Sequence, residues 1–210
     1  MEYHHFPLSF HKYAETAAIA SMAAHRQGKF WEMVDKLYAD TQNQDDATLL
    51  RYAEELGLNM DQFKSDIVSP ELIAYVRMDM ESGKQIGVGG TPSMYINGSK
   101  ATGNDFEALK TEIDAELAAV QAQVDAGKTV DEARRGRTVA RGGASFVKYV
   151  VDRTPMEVDT AAPGETPPAP PAPAAEPPDT KVYPAEVFPG DPMKGPADAL
   201  VTIVECTDFQ

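Results

Sequence analysis

The chain has 210 residues, of which 42% are hydrophobic and 25% are charged, enough for one domain with additions or for two small domains. It carries 33 acidic and 19 basic residues, and the formal net charge of −14 argues against a nucleic-acid partner, whose binding surface would be basic. A single cysteine excludes an internal disulfide and a cysteine-rich zinc site.

Targeting and membrane signals are not predicted within the chain. No apolar run reaches the ~18–20 residues that a membrane-spanning helix needs. The first residues, Met-Glu-Tyr-His-His, provide neither the basic nor the apolar region of a secretion signal.

The first part of the chain has the periodicity of helices. Small and apolar residues recur at spacings of three and four, and helix-capping residues separate the runs. This pattern predicts five helices, at His11–Gln27, at Phe30–Asp40, from Asp45 to Gly57, through Phe63 and Ile67, and from Ser69 to about Ser82.

A short region of strand character follows the fifth predicted helix. Ser93–Ile96 is predicted to form a strand, Asn97-Gly98 a two-residue hairpin turn, and Lys100–Thr102 the returning strand. A further helix is predicted from Phe106 to Val124, with the acidic residues between Glu107 and Glu116 on its solvated face.

Two segments of unusual composition come next. Residues 128–153 hold seven Lys or Arg and three acids, and are predicted to form a solvated, amphipathic extension in preference to a nucleic-acid surface. Residues 154–180 are rich in proline and contain no aromatic residue, which is typical of a semi-extended linker; the alternative is a ligand for a domain of the SH3 type.

The last predicted element is a β-branched strand at Val201–Glu205. A lone strand needs a sheet to join, and the predicted hairpin leaves unpaired edges. We therefore expect this strand to pair beside Met94–Ile96, either in cis across the linker or in trans in a strand-swapped dimer.

Three stretches resemble the DsbA-like branch of the thioredoxin superfamily. They are His5–His11 followed by Gly28–Met33 (HFPLSFH and GKFWEM), Gly87–Gly98 (GVGGTPSMYING) and Val201–Gln210 (VTIVECTDFQ). The resemblance implies an α/β thioredoxin-like fold with a helical insertion. That fold would be incomplete, with the redox helix and second strand missing or truncated and the first core strand at the C-terminus.

The order of these stretches is unusual for the family, because the stretch similar to its first strand comes last. One explanation is a fragment of a tandem-domain protein, and a circular permutation is the alternative. The expected division is a DsbA-like domain at 1–127, the basic extension at 128–153, the linker at 154–180, and the start of a second thioredoxin-like domain at 181–210.

The resemblance implies a thiol–disulfide oxidoreductase acting on protein disulfides without a dissociable cofactor. Its partners would be extended segments of substrate proteins and a redox partner protein, in an extracytoplasmic or periplasmic compartment. The family's Cys-x-x-Cys motif would begin after Gln210, so the 210-residue chain is predicted to be inactive. The alternative is a redox-silent thioredoxin-like module that binds peptides or acts as a spacer.

Candidate site residues follow from the same resemblance. Thr91 and Pro92 match the family's substrate-binding cis-proline loop, the alternative being an ordinary trans bond at the start of a strand. No catalytic residue is predicted, because Cys206 lies within the strand-like run and is expected to be a small buried hydrophobe. No metal site is predicted, since the four histidines lack partners at metal-ligand spacing: His4, His5, His11 and His25.

Overall fold

A computed structural model describes residues 1–103, 105–163, 192–196 and 198–209. Residues 164–180 of the predicted linker, and Gln210, lie outside the described residues. The described elements, in chain order, are β1 (Glu2–His5), α1 (Ala14–His25), α2 (Phe30–Ala39), α3 (Asp46–Glu55), α4 (Met60–Asp66), α5 (Pro70–Gln85), β2 (Ser93–Ile96), β3 (Ser99–Lys100), α6 (Phe106–Asp125), α7 (Val130–Phe146), a π-helical turn (Val147–Val151) and β4 (Ile203–Thr207).

The four strands form one sheet in the order β1-β4-β2-β3. β4 runs parallel to β1, with Glu2 opposite Val204, and antiparallel to β2, with Tyr95 also opposite Val204. The predicted pairing of the C-terminal strand beside Met94–Ile96 is therefore confirmed, and within this chain the pairing is in cis. The mixed sheet, with helices, has the thioredoxin-like character that the resemblance implies.

Strand limits differ from the prediction by one or two residues at each changed end. β4 covers Ile203–Thr207 in place of Val201–Glu205 because Asn97 closes the ladder: its N–H donates to Thr202 O, and its Oδ1 accepts from Thr202 N–H, both at 2.9 Å. β3 is limited to Ser99–Lys100. β1 has only four residues and corresponds to the second core strand that the resemblance led us to expect as missing or truncated.

The described residues divide into two compact units. We call the first the sheet unit; it contains Met1–Phe6, Glu81–Thr154 and the described part of Phe188–Thr207. We call the second the helical unit; it contains Pro7–Met80, the described part of Pro155–Val187, and the described part of Asp208–Gln210.

Helices of the helical unit form where the sequence predicts them, because local caps fix their ends. Asp45 accepts a hydrogen bond from Thr48 N–H at the start of α3, and Asn59 accepts from Asp61 and Gln62 N–H at the start of α4. Gly57 follows α3 with a φ of 70°, a conformation that favours glycine. α1 buries an almost continuous set of small residues: Ala14, Ala17, Ala18, Ala20, Ser21, Ala23 and Ala24.

In the sheet unit, the basic segment 128–153 is mostly helical. α7 begins with a capping box, in which Thr129 and Glu132 exchange hydrogen bonds, and Gly143 interrupts the helix with a φ of 70°. α7 passes very close to the hairpin turn, since a Cβ placed on Gly98 would lie 2.7 Å from Thr138 O.

One acidic residue of α6 departs from the prediction of a solvated face. Glu116 is only 4% exposed, because its carboxylate is enclosed by donors from α7 and the hairpin. Arg137 and Arg141 form ion pairs with it, and Asn97 Nδ2 donates to its Oε2 at 3.2 Å. Asn97 therefore hydrogen-bonds both to the buried Glu116 carboxylate and to Thr202, the residue immediately before β4.

Among the described residues, no helix is sufficiently long and apolar to cross a bilayer.

Candidate functional site

The loop before β2 carries the two predicted site residues. The Thr91–Pro92 peptide bond is cis, which agrees with the bond expected from the resemblance. Ser93 Oγ donates to Gly90 O at 2.6 Å and so braces the loop against the first residue of β2. Thr91 is half-buried, and Pro92 is exposed.

The backbone of Thr91 lies just outside the strand ladder. Pairing between β2 and β4 begins with Ser93 opposite Cys206. The backbone hydrogen bonds that the described chain makes outside helices and strands include none to Thr91. Its N–H and C=O can therefore pair with an extended polypeptide segment, as in strand addition to a sheet edge.

β4 carries a partly buried carboxyl group that the sequence does not predict. Glu205 stands opposite Met94, on the other face of the sheet from Val204 and Cys206. Burial raises the pKa of Glu205, so its carboxyl holds a proton to higher pH than an exposed glutamate does. The sequence signal for this burial is a glutamate within a β-branched run, because every second residue of a central strand faces a covered surface.

The cysteine is buried, as predicted. Cys206 is 2% exposed and lies in β4. Burial, with a smaller contribution from the neighbouring Cys206, raises the pKa of Tyr95 to about 12. Tyr95 Oη donates to Ile86 O at 3.3 Å, and its ring packs 5.3 Å from that of Phe146. This cysteine therefore occupies a packed interior position.

The histidines are dispersed. His4 and His5 are buried in β1, and the ring of His25 packs edge-on against Phe30. Within the described ranges, no group of three His, Cys, Asp or Glu side chains is arranged to hold a metal ion.

In the helical unit, the residues that follow β4 are held by polar contacts that local sequence does not signal. Asp208 Oδ2 accepts a hydrogen bond from Leu8 N–H and lies 2.8 Å from His11 Nδ1. Gln44 Nε2 donates to Phe209 O at 3.1 Å. Because the partners are separated by 165 to 200 residues, no spacing rule could have identified these contacts.

A family model described as "DSBA-like thioredoxin domain" matches residues 2–114, more than half of the chain. The probable disulfide bond formation protein D of Bacillus anthracis is 36% identical over 118 residues, covering 50% of this chain and 52% of the relative. No solved structure matches significantly.

Curated relatives of another kind share the same region. The Na(+)/H(+) antiporter NhaA 3 of Salinispora tropica is 35% identical over 129 residues, and NhaA 1 of Salinispora arenicola is 36% identical over 116 residues. These matches cover 60% and 54% of this chain. The chain spans only 20% and 18% of the two antiporters.

Proposed function

Because this chain belongs to the DSBA-like thioredoxin domain family, a family of thiol–disulfide oxidoreductases, we propose that it binds extended segments of protein substrates at Thr91 and Pro92. The observation that supports this proposal concerns the backbone N–H and C=O of Thr91. These groups lie next to the β2–β4 pairing and take no part in it. Main-chain pairing of this kind accepts many sequences, which suits an oxidoreductase that acts on varied proteins.

Disulfide reduction requires two thiols, and the 210 residues contain only one cysteine. Reduction of a substrate disulfide transfers two electrons from two thiols, and these thiols end joined as a disulfide. One cysteine, buried in β4, cannot complete this exchange within the chain. We therefore propose that the chain alone is inactive towards protein disulfides, and that it depends on a dithiol supplied elsewhere. The single cysteine equally favours a second candidate, a redox-silent peptide-binding module.

We propose an extracytoplasmic compartment, in keeping with the usual placement of the family. The proposed division of the chain, with a linker at 154–180 and a second thioredoxin-like domain beginning at 181, rests on composition and resemblance.

Peptide binding can be tested by titrating the isotopically labelled chain with S-carboxymethylated insulin B chain, an unfolded polypeptide without reactive thiols. We expect chemical-shift changes centred on Gly90, Thr91 and Ser93. Thr91→Val should retain binding, because the proposed contacts are main-chain contacts, whereas Thr91→Pro should lose binding because the N–H donor is absent. The amides of Tyr95 and Ile96 in β2 serve as the folding control, and an absence of shifts in this loop would disprove the proposal.

Activity is tested by reduction of native insulin with dithiothreitol. The purified chain should leave the uncatalysed rate unchanged, and so should Cys206→Ser. A rate above the uncatalysed one that disappears in Cys206→Ser would show that the buried thiol is reactive, contrary to the proposal.

A further inference from the structure

Residues Pro155–Ala162, which we call the strap, form a segment of the helical unit that has neither helix nor strand. Burial alternates along it: Met156, Val158 and Thr160 are half-buried, while Glu157 and Asp159 are exposed. An alternation with a period of two means that one side of an extended segment faces protein and the other faces solvent. These residues belong to the predicted linker, yet they lie against the protein in the manner of a bound peptide.

An arginine of α5 anchors the strap through its main chain. Arg77 Nη1 donates to Asp159 O at 2.8 Å. The carboxylate of Asp159 contributes less, because it is 74% exposed and lies 3.8 Å from the same nitrogen. The central contact is therefore made to a carbonyl oxygen, a group that every polypeptide offers.

The orientation of this arginine is fixed from within the helical unit. Arg77 Nε donates to Glu15 Oε1 at 2.5 Å, and Glu15 lies in the first turn of α1. The Arg77 side chain is only 16% exposed. A guanidinium held at Nε by a carboxylate presents its terminal nitrogens in a fixed direction, which reduces the entropy lost when a carbonyl binds.

We propose that this surface of the helical unit, around Arg77 and Glu15, is a binding site for extended polypeptide segments, and that the strap is its occupant in cis. The partner it fits carries apolar or β-branched residues at every second position, with acidic or polar residues between them, as in Met156–Thr160. A segment of another protein with this pattern competes with the strap. This site is separate from the proposed loop at Thr91 and does not depend on it.

The first experiment measures the order of the strap backbone in the full chain through the heteronuclear NOE of its amides. Substituting the two inward residues, Met156→Ser with Val158→Ser, should lower these NOE values to those of an unstructured peptide because the apolar contacts are lost. The matched control substitutes one outward residue, Glu157→Gln, and should leave the values unchanged. Unchanged protection of α3 shows that the helical unit remains folded.

The second experiment adds a synthetic peptide of residues 154–162 in trans. The strap competes at the high effective concentration of an intramolecular ligand, so we expect the inward double variant to bind this peptide at least about tenfold more tightly than the unaltered chain. Adding Arg77→Gln to the double variant should abolish the difference, whereas adding Arg51→Gln, on an exposed pair with Glu55, should not.

Two results would overturn the proposal. One is a strap whose amides in the unaltered chain show the heteronuclear NOE values of an unstructured peptide. The other is a folded double variant to which the peptide does not bind. Since the peptide signals are followed on α1 and α5, failure here is distinguishable from failure at the Thr91 loop.

Discussion

The helical unit and the sheet unit are organised on different length scales. The five helices within residues 7–85 are set by local spacing and by caps such as Asp45 and Asn59, whose partners lie two or three residues away. The sheet, in contrast, joins strands near residues 2, 93 and 203, so its central pairing spans almost the whole chain. The entropy lost in closing such long loops must be offset by cooperative strand pairing. A substitution that disrupts one strand should therefore destabilise the neighbouring strands as well.

Ion pairs within the two units differ in exposure. In the sheet unit, the Glu116 side chain is 5% exposed, and its partners Arg137 and Arg141 are 26% and 34% exposed. In the helical unit, Arg51 and Glu55 are about half-exposed, whereas Arg77 beside Glu15 is 16% exposed. Exposed pairs contribute little, whereas removing one member of a buried group leaves charges without compensation.

The largest expected effect comes from interrupting the central strand. Val204→Pro removes an N–H and introduces a ring into β4, which is paired on both sides, and should lower the free energy of unfolding by at least about 3 kcal/mol. Amide exchange of β1 and β2 should rise together. Val201→Pro, which lies outside β4, is the control and should preserve their protection; equal effects of the two would contradict the pairing described.

The next effect should come from the buried carboxylate. Glu116→Ala leaves Arg137, Arg141 and the Asn97 amide without their acceptor, and should cost about 2–3 kcal/mol in urea unfolding. Asp114→Ala, which breaks an exposed pair with Lys110 on the same helix, should change stability by less than about 0.5 kcal/mol. A similar loss of unfolding free energy in both variants would mean that the buried network contributes no net stability.

This contribution should depend on pH with a definite sign. Burial by itself would raise the pKa of Glu116, but hydrogen bonds from Arg137 and Asn97 and the charge of Arg141 outweigh burial and lower it. The folded state then binds this proton less readily than the unfolded state, so the stabilisation is present above the ordinary pKa of about 4.3 and is lost as pH falls through the folded value. Unfolding measured from pH 7 to pH 3 should show the unaltered chain converging on Glu116→Ala.

A local defect in the helical unit should be smaller and confined. Asp45→Ala removes the cap of α3 and should cost about 1 kcal/mol, with increased amide exchange in the first turn of that helix. Asp35→Ala, at an exposed position within α2, should have no measurable effect. Increased exchange in β2 or β4 would argue against the local organisation of this unit.

The smallest expected effect has the opposite sign. Because burial raises the pKa of Glu205, its ionised form opposes folding at neutral pH, and Glu205→Gln should raise the free energy of unfolding by up to about 1 kcal/mol. The gain should disappear as pH falls below about 4, where the carboxyl is protonated in both states. Glu54→Gln, on the surface of α3, should produce no gain at any pH.

Prediction from sequence succeeded wherever neighbours along the chain determine the outcome. Periodicity located the helices, Asn97-Gly98 located the hairpin, and the β-branched run located a strand that must join a sheet. The candidate loop at Thr91 came from family resemblance, because its residues alone describe an ordinary strand start. The burial of Glu205 could not be predicted, since the sequence gives the alternation of side chains along β4 but not what covers each face of the sheet.

The helices, their caps and the need of the last strand for a partner follow from the amino-acid sequence alone, because these features depend on contacts within a few residues. The burial of Glu116, the contacts of Asp208 with Leu8 and His11, and the bond from Arg77 to the strap arise only in the folded chain. Burial and the partners of a polar group depend on segments up to 200 residues apart, and that proximity is created by folding.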